Sequence, residues 1–329
     1  MQIAGIKTDL MARLGLQGPL IQAPMAGGAT TPELVAAVSS AGALGSLGGA
    51  YLNPAELGTA VRKTKILTGR PFAVNLFAPC PEPLLNENQI QAAIVATKSY
   101  RRELGIPDPA VRSPFCPKFE EQFSVVLDER PAVFSFTFGL LEKGRIEECR
   151  KRGILTVGTA TKLEDALALQ EIGVDAVVAQ GAEAGAHRGT FFPEQEDLLI
   201  GLSALVPILV SQLRVPVVAA GGIMNGQGIA AALALGAQAA QLGTAFLACD
   251  ESGISEPYRN ALLDPKRRLT RLTRAFSGRW ARGLENRFML EMAAKENTIL
   301  PFPAQNAFTQ DIRKKAAELG LPDYLSLWA

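Results

Sequence analysis

The run IAAALALGAQAAQLGTAFLA, Ile229–Ala248, holds twenty residues without a charge, and its reading decides the fold. As a single helix it is long enough to cross a bilayer. Its interior argues for two elements instead. Gly236 and Gly243 punctuate it, Gln238 and Gln241 are polar, the Ala-rich first half suits a helix, and AAQLGTAFL suits a buried strand. A helix followed by a strand belongs to a soluble core, and the apolar run VPVVAAGG, Val215–Gly222, stands just upstream.

The same rhythm extends back to Pro19. PLIQAPM, ALGSLGG, PFAVNLFAP, AVFSFTFG, ILTVGTA and DAVVAQG bring the candidate strands to eight. They are apolar almost throughout, as strands of a parallel sheet must be when both faces are covered. Helical segments separate them. TPELVAAVSSAG opens with Thr31 as cap and Pro32 at the first helical position, and TKLEDALALQEIG opens with Thr161 and closes on Gly173. Eight βα units predict an α/β fold, a (β/α)8 TIM barrel. Two stretches break the rhythm: Cys80 to Arg130, built around the helix NENQIQAAIVATKSYRRELG, and the tail from Asp250, jointed at ILPFPAQ. The expected organisation is a barrel over 1–250 with an insertion at about 80–130, and a smaller, mainly helical capping segment over 251–329.

Composition removes several function classes. Hydrophobic residues at 48% and charged residues at 20% exclude a disordered chain. A formal charge of +1 leaves no field for steering nucleic acid, and the short basic run Lys266, Arg267, Arg268 beside Asp264 reads as a solvated face. Cys80, Cys116, Cys149 and Cys249 are scattered without a C-x-x-C pair, which implies reduced thiols in the cytoplasm. Lys7, Asp9 and Arg13 interrupt any signal-peptide pattern. No metal site is expected, because the chain has one histidine.

In a βα barrel, chemistry sits at the C-terminal strand ends. The first strand ends in Gln22, Ala23, Pro24 and Met25; the third reaches Asn75; the sixth ends at Gln180; the seventh at Gly221 and Gly222; the eighth at Gln241, Leu242, Gly243 and Thr244. The last two ends predict a phosphate site made of backbone N–H groups, with Asn225 capping the helix that follows. Asn75 and Gln180 are amides at the ends of apolar strands. Each would suit the edge of a planar heterocycle, and each would equally suit a neighbouring loop.

The sole histidine, His187, lies in GAEAGAHRG, Gly181–Gly189. An isolated histidine is more often structural than catalytic, but this one follows the sixth strand in a glycine-lined loop with Glu183 and Arg188. At its ordinary pKa of about 6.5 it would suit proton transfer. There is no second histidine and no placed nucleophile for a hydrolase triad.

In this order, QAPMAGG, VNLFAP, FSFTFG, GTATKLEDA, QGAEAGAHRG, AAGGI and QLGTAF resemble the nitronate monooxygenases, formerly 2-nitropropane dioxygenases, and in particular their class I. The resemblance covers Pro19 to about Phe288. It implies an FMN-binding TIM barrel that oxidises small anionic alkyl nitronates, such as propionate 3-nitronate, with O₂ to nitrite and a carbonyl product. It implies FMN contacts at Asn75, Gln180, Gly185, Gly222 and Gln241 to Thr244, with Ala23, Pro24 and Met25 against the isoalloxazine and His187 as the active-site histidine. Gly221 joins the phosphate-binding turn. Three positions depart from the family pattern. Ala186 stands where GGHRG is usual, Phe302 stands where tyrosine is common and removes a phenolic contact to a substrate carboxylate, and the chain stops at LSLWA where Gly-Gln and a terminal helix would follow. The alternatives are an NAD(P)H-dependent reductase of quinones or enoyl thioesters on a related barrel, and a flavin-binding module without turnover.

Overall fold

All eight apolar runs become strands. In the computed structural model, which describes residues 7–191 and 199–329, the strands in chain order are β1 Leu20–Gln22, β2 Gly45–Gly48, β3 Phe72–Phe77, β4 Val133–Thr137, β5 Leu155–Ala160, β6 Ala176–Gln180, β7 Ala186–His187, β8 Val217–Ala220, β9 Ala239–Leu242, β10 Thr270–Thr273 and β11 Ala281–Leu284. Setting aside β7, β10 and β11, they form one parallel sheet in the order β1-β9-β8-β6-β5-β4-β3-β2. Its two ends meet. Ile21 bridges Leu44, the Gln22 N–H donates to the Leu44 carbonyl at 2.9 Å, and the Leu44 N–H donates to the Leu20 carbonyl at 3.0 Å. The fully buried Gln22 side chain continues this seam: its Oε1 accepts from the Ser46 N–H at 3.0 Å and its Nε2 donates to the Ser46 carbonyl at 3.2 Å. The result is the expected (β/α)8 barrel.

Of the helix-end signals read from the sequence, Thr31, Asn225 and Gly173 hold and Thr161 does not. Thr31 Oγ accepts from the Leu34 N–H at 3.0 Å behind Pro32, and Asn225 Oδ1 accepts from the Gly228 N–H at 3.0 Å at the start of the helix Gly226–Ala234. Thr161, expected as a cap, is not one. The helix Leu163–Ile172 starts behind Lys162, and Thr161 instead gives its N–H and hydroxyl to Asp165 Oδ2 at 3.3 and 3.1 Å. Asp165 is buried, and a buried carboxylate must find donors. Gly173 closes that helix in the left-handed conformation, as its sequence implied. The opening run divides into the helix, β9 and a further short helix Thr244–Leu247. AAQLGTAFL is therefore strand only to Leu242. No helix among the described residues is long and apolar enough to cross a membrane.

The chain divides into two units: Met1–Cys80, Pro117–Ala184 and Gly189–Gly253 form the barrel, and Pro81–Cys116, Gly185–Arg188 and Ile254–Ala329 form the second. The interruption at 80–130 is thus split. The helix Phe119–Glu129 stays with the barrel, where Phe123 packs 5.5 Å from Phe134 of β4 and Gln122 Nε2 donates to the carbonyls of Gly49 and Leu52 at 3.2 and 2.6 Å. The helix Glu87–Leu104 goes to the second unit, where the buried Arg101 guanidinium meets Asp311 at 2.6 and 3.2 Å and the Phe308 carbonyl at 2.9 Å. That unit also holds an antiparallel sheet, β10-β11-β7, which the helical reading of the tail did not anticipate. TRLT and ARGL carry charges and are too short to show an apolar pattern.

The seam gives a stability prediction. Gln22→Leu leaves the buried Ser46 N–H and carbonyl without these partners and should cost about 2–4 kcal/mol, against about 1 kcal/mol for the cap deletion Thr31→Ala. Urea unfolding midpoints measure both, and equal losses would show that the amide does not hold the closure.

Candidate active site

Strand register assembles the barrel part of the site. Gln180 of β6 pairs with Ala220 of β8, which pairs with Gln241 of β9, so the two glutamines stand level on either side of β8. Gly221 and Gly222 follow at once with φ of 130° and 65°. Such backbone is strained for any residue with a Cβ, and the space is closed as well: a Cβ would lie 3.0 Å from the Ala184 nitrogen at Gly221 and 3.1 Å from the Glu183 Cβ at Gly222. On the next strand, the Ala23 N–H donates to the Leu242 carbonyl at 2.8 Å, and Thr30 fixes the turn by giving its N–H and hydroxyl to the Met25 carbonyl at 3.3 and 3.2 Å. Gly243 lies against Ala23 and Met25, and Thr244 opens the short helix beyond it.

The amides are tethered in different ways. The buried Asn75 pairs in register with Gly48 and Ser135, and its Nδ2 donates to Ser135 Oγ at 3.0 Å. Gln180 Oε1 accepts from the Gly189 N–H at 2.7 Å, which holds the far end of the histidine loop. Ala23, Pro24, Met25, Gln180, Gly221, Gly222, Gln241, Leu242, Gly243 and Thr244 thus stand at C-terminal strand ends of the barrel unit, whereas Asn75, expected at such an end, lies two residues inside β3, which runs on to Phe77. Sequence reasoning passed over Thr137 and Thr159, whose hydroxyls lie 3.2 Å apart at the ends of β4 and β5. Glu183, a charged member of the loop, is occupied elsewhere: both of its carboxylate oxygens accept from the Leu202 N–H at 3.0 Å, at the start of the helix Leu202–Gln212.

Gly185 and His187 belong to the second unit. The expected loop is here a strand: Ala186 pairs with Arg282 and His187 with Ala281, and the Arg188 N–H donates to the Trp280 carbonyl at 2.8 Å. A Cβ at Gly185 would come 2.5 Å from the Ala329 carbonyl carbon. Ala186 has φ of 62°, a left-handed conformation in a residue that carries a Cβ. This is why glycine suits the position, and alanine there holds about 1 kcal/mol of strain.

His187 Nε2 lies 2.8 Å from Ser277 Oγ, with its ring centroid 5.5 Å from Trp328 and 6.1 Å from Phe302. Trp328 is itself fixed, since Tyr258 donates to its carbonyl at 2.6 Å and its indole meets Phe276 edge-on at 5.6 Å. Burial, together with the charges of Arg279 and Arg313, lowers the His187 pKa to about 3. The ordinary value near 6.5 does not survive folding, and the imidazole is neutral at physiological pH. It serves there as a neutral hydrogen-bonding group, and the positive charge around it belongs to the two arginines. Phe276, Ser277 and Arg279 carried no signal beyond the compact polar and aromatic stretch FSGRW, and Trp328 carried none within LSLWA.

Residues 8–329 match the family model for nitronate monooxygenase. The chain belongs to the nitronate monooxygenase family. A probable nitronate monooxygenase of Staphylococcus saprophyticus is 41% identical over 98% of this chain and 91% of its own length, and one of Staphylococcus haemolyticus is 42% identical over 98% and 90%. Among solved structures, the nitroalkane oxidase of Streptomyces ansochromogenes covers 97% of this chain and 90% of its own at 41% identity and a TM-score of 0.91. FabK from Thermotoga maritima covers 98% and 88% at 27% identity and a TM-score of 0.74. This nitronate monooxygenase family member is therefore an oxidoreductase on a TIM barrel.

Two outcomes follow for the histidine strand. Ala186→Gly should raise stability by about 0.5–1 kcal/mol in urea unfolding, and a loss would show that the left-handed backbone is not strained. The unfolded chain protonates His187 near pH 6.5 and the folded chain only near 3. Between those values the unfolded state binds the extra proton, so this contribution is present above about pH 6.5 and is lost as pH falls toward 3. Comparing Tm at pH 7.5 and 5.0, His187→Gln should lose less than the parent. An equal loss would mean that the folded imidazole titrates normally.

Proposed function

We propose that this protein is an FMN-dependent nitronate monooxygenase that converts alkyl nitronates such as propionate 3-nitronate, with O₂, to a carbonyl product and nitrite in the cytoplasm. The observation that carries the reading is His187, its Nε2 held 2.8 Å from Ser277 Oγ in a chain that matches the nitronate monooxygenase family, with the charges of Arg279 and Arg313 lowering its proton affinity. A nitronate arrives as an anion already deprotonated, so it needs a positive field and a hydrogen-bonding partner more than a base. His187 would orient it, and its lowered proton affinity makes it a weak base toward a neutral nitroalkane.

The barrel residues fit the cofactor. The left-handed turn at Gly221 and Gly222 leaves no room for side chains, so backbone can approach a phosphate there closely. Gly243 and Thr244 would complete that cradle. Ala23, Pro24, Met25, Asn75, Gln180, Gln241 and Leu242 would line the flavin ring, Gln180 and Gln241 from equal heights on either side of β8, and Gly185 would add a backbone contact. Bound FMN supplies the electron transfer between nitronate and O₂. The chain's own part is to position the anion, and within the barrel unit the Gly189 N–H holds Gln180 at 2.7 Å.

The purified protein should be yellow, contain stoichiometric FMN and release nitrite from propionate 3-nitronate in air. His187→Asn should lower kcat/KM by about 10²-fold. The kcat/KM profile should show no histidine limb near pH 6.5, because the free enzyme holds His187 neutral well below that value. Rapid anaerobic bleaching by NADH without nitrite release would favour a quinone or enoyl-thioester reductase instead. Bound FMN with no turnover on a nitronate panel would favour a flavin-binding module.

A further inference from the structure

We propose that Ser277 is a positioning residue that fixes the tautomer of His187, so that the imidazole carries its proton on Nε2 and keeps Nδ1 as its basic nitrogen. Three polar atoms surround the buried Ser277 Oγ: the Arg279 carbonyl oxygen at 3.1 Å, the Arg279 backbone nitrogen at 3.3 Å and His187 Nε2 at 2.8 Å. A serine hydroxyl has one proton to give and two lone pairs to receive. A carbonyl only accepts and a backbone N–H only donates. The proton therefore goes to the Arg279 carbonyl and one lone pair to the Arg279 N–H. The remaining lone pair faces Nε2, which must arrive protonated. The opposite arrangement turns the hydroxyl proton to Nε2 and gives up the bond to the carbonyl in a buried place, where a lost hydrogen bond is most costly.

The hydroxyl has little freedom to move away. Ser277 sits in a turn in which the N–H groups of Ser277 and Gly278 both donate to the Arg274 carbonyl, at 3.2 and 2.8 Å. Buried side chains clamp the two preceding carbonyls: Gln305 Nε2 donates to that of Ala275 at 2.6 Å, and Thr309 Oγ donates to that of Phe276 at 2.6 Å. On the other partner, β7 is held in register against β11. Both ends of the His187–Ser277 contact are thus set by backbone. Only a neutral imidazole has a tautomer to choose, and burial beside Arg279 and Arg313 keeps this one neutral.

The chain has one histidine, so the holoprotein grown on ¹⁵N-labelled histidine gives a single imidazole in NMR. The expected spectrum at pH 7 has a protonated, pyrrole-type Nε2 and a lone-pair, pyridine-type Nδ1. Ser277→Ala should replace it by a mixture of tautomers and lower kcat for nitronate oxidation about tenfold with a smaller change in KM, whereas Ser277→Thr should return the parent spectrum. An Nδ1–H imidazole in the parent protein overturns the proposal, as does an unchanged tautomer in Ser277→Ala. Should that variant fail to fold, the parent spectrum decides alone. Only the effect on turnover rests on the nitronate reading. The expected spectrum without nitrite release would sink that reading and leave the tautomer standing, and nitrite release from an Nδ1–H protein would do the reverse.

Discussion

The barrel closes at a seam of two backbone hydrogen bonds that a buried amide extends. β1 is three residues long and has to bond to β9 on one side and to the start of β2 on the other. The backbone alone gives the second contact only a few bonds, and Gln22 lengthens the seam by pairing its side chain with both polar groups of Ser46. An amide imitates a peptide group, so it can extend a ladder where the strand has ended. Closing the sheet removes its edges and fixes the register of every strand. That register is what sets Gln180, Ala220 and Gln241 side by side and Asn75 next to Ser135.

A second constraint governs the histidine. β7 is two residues long, shorter than any strand that stands by its own propensity, and it exists because β11 offers it a ladder. Ala186 accepts left-handed backbone to make that pairing possible. Strain of this size persists only where the surroundings over-determine the conformation. Here they do so through the strand pairing, the Arg188–Trp280 backbone bond and the tight approach of Gly185 to Ala329. The same surroundings desolvate the half-buried imidazole and bring arginine charge to it, so the packing that places the imidazole also keeps it unprotonated.

The barrel was legible because each of its strands is buried on both faces and reads as an apolar run, and because Thr31, Asn225 and Gly173 mark helix ends through local chemistry. The strand-end residues were legible for the same reason, since barrel topology says which end of a strand matters. Thr161 misled because a buried carboxylate four residues on competes for the same hydroxyl. The sheet β10-β11-β7 left no trace, since β7 pairs with a strand about ninety positions away and the short strands TRLT and ARGL carry charges instead of an apolar pattern. His187 was found by position, but its protonation state was not. That depends on Arg279 and Arg313, which only the folded chain brings near it.

The second unit is assembled from three separate pieces of chain, one of them only Gly185–Arg188. A ribosome therefore delivers the histidine strand long before β11, the strand that holds it, and β1 waits through about 220 residues for β9. Contacts of such long range make assembly late and cooperative. They also constrain descent. The piece that carries His187 is written inside the barrel's own sequence, so recombination cannot exchange the second unit as a cassette, and variation in what surrounds the histidine has to arise in place, one substitution at a time.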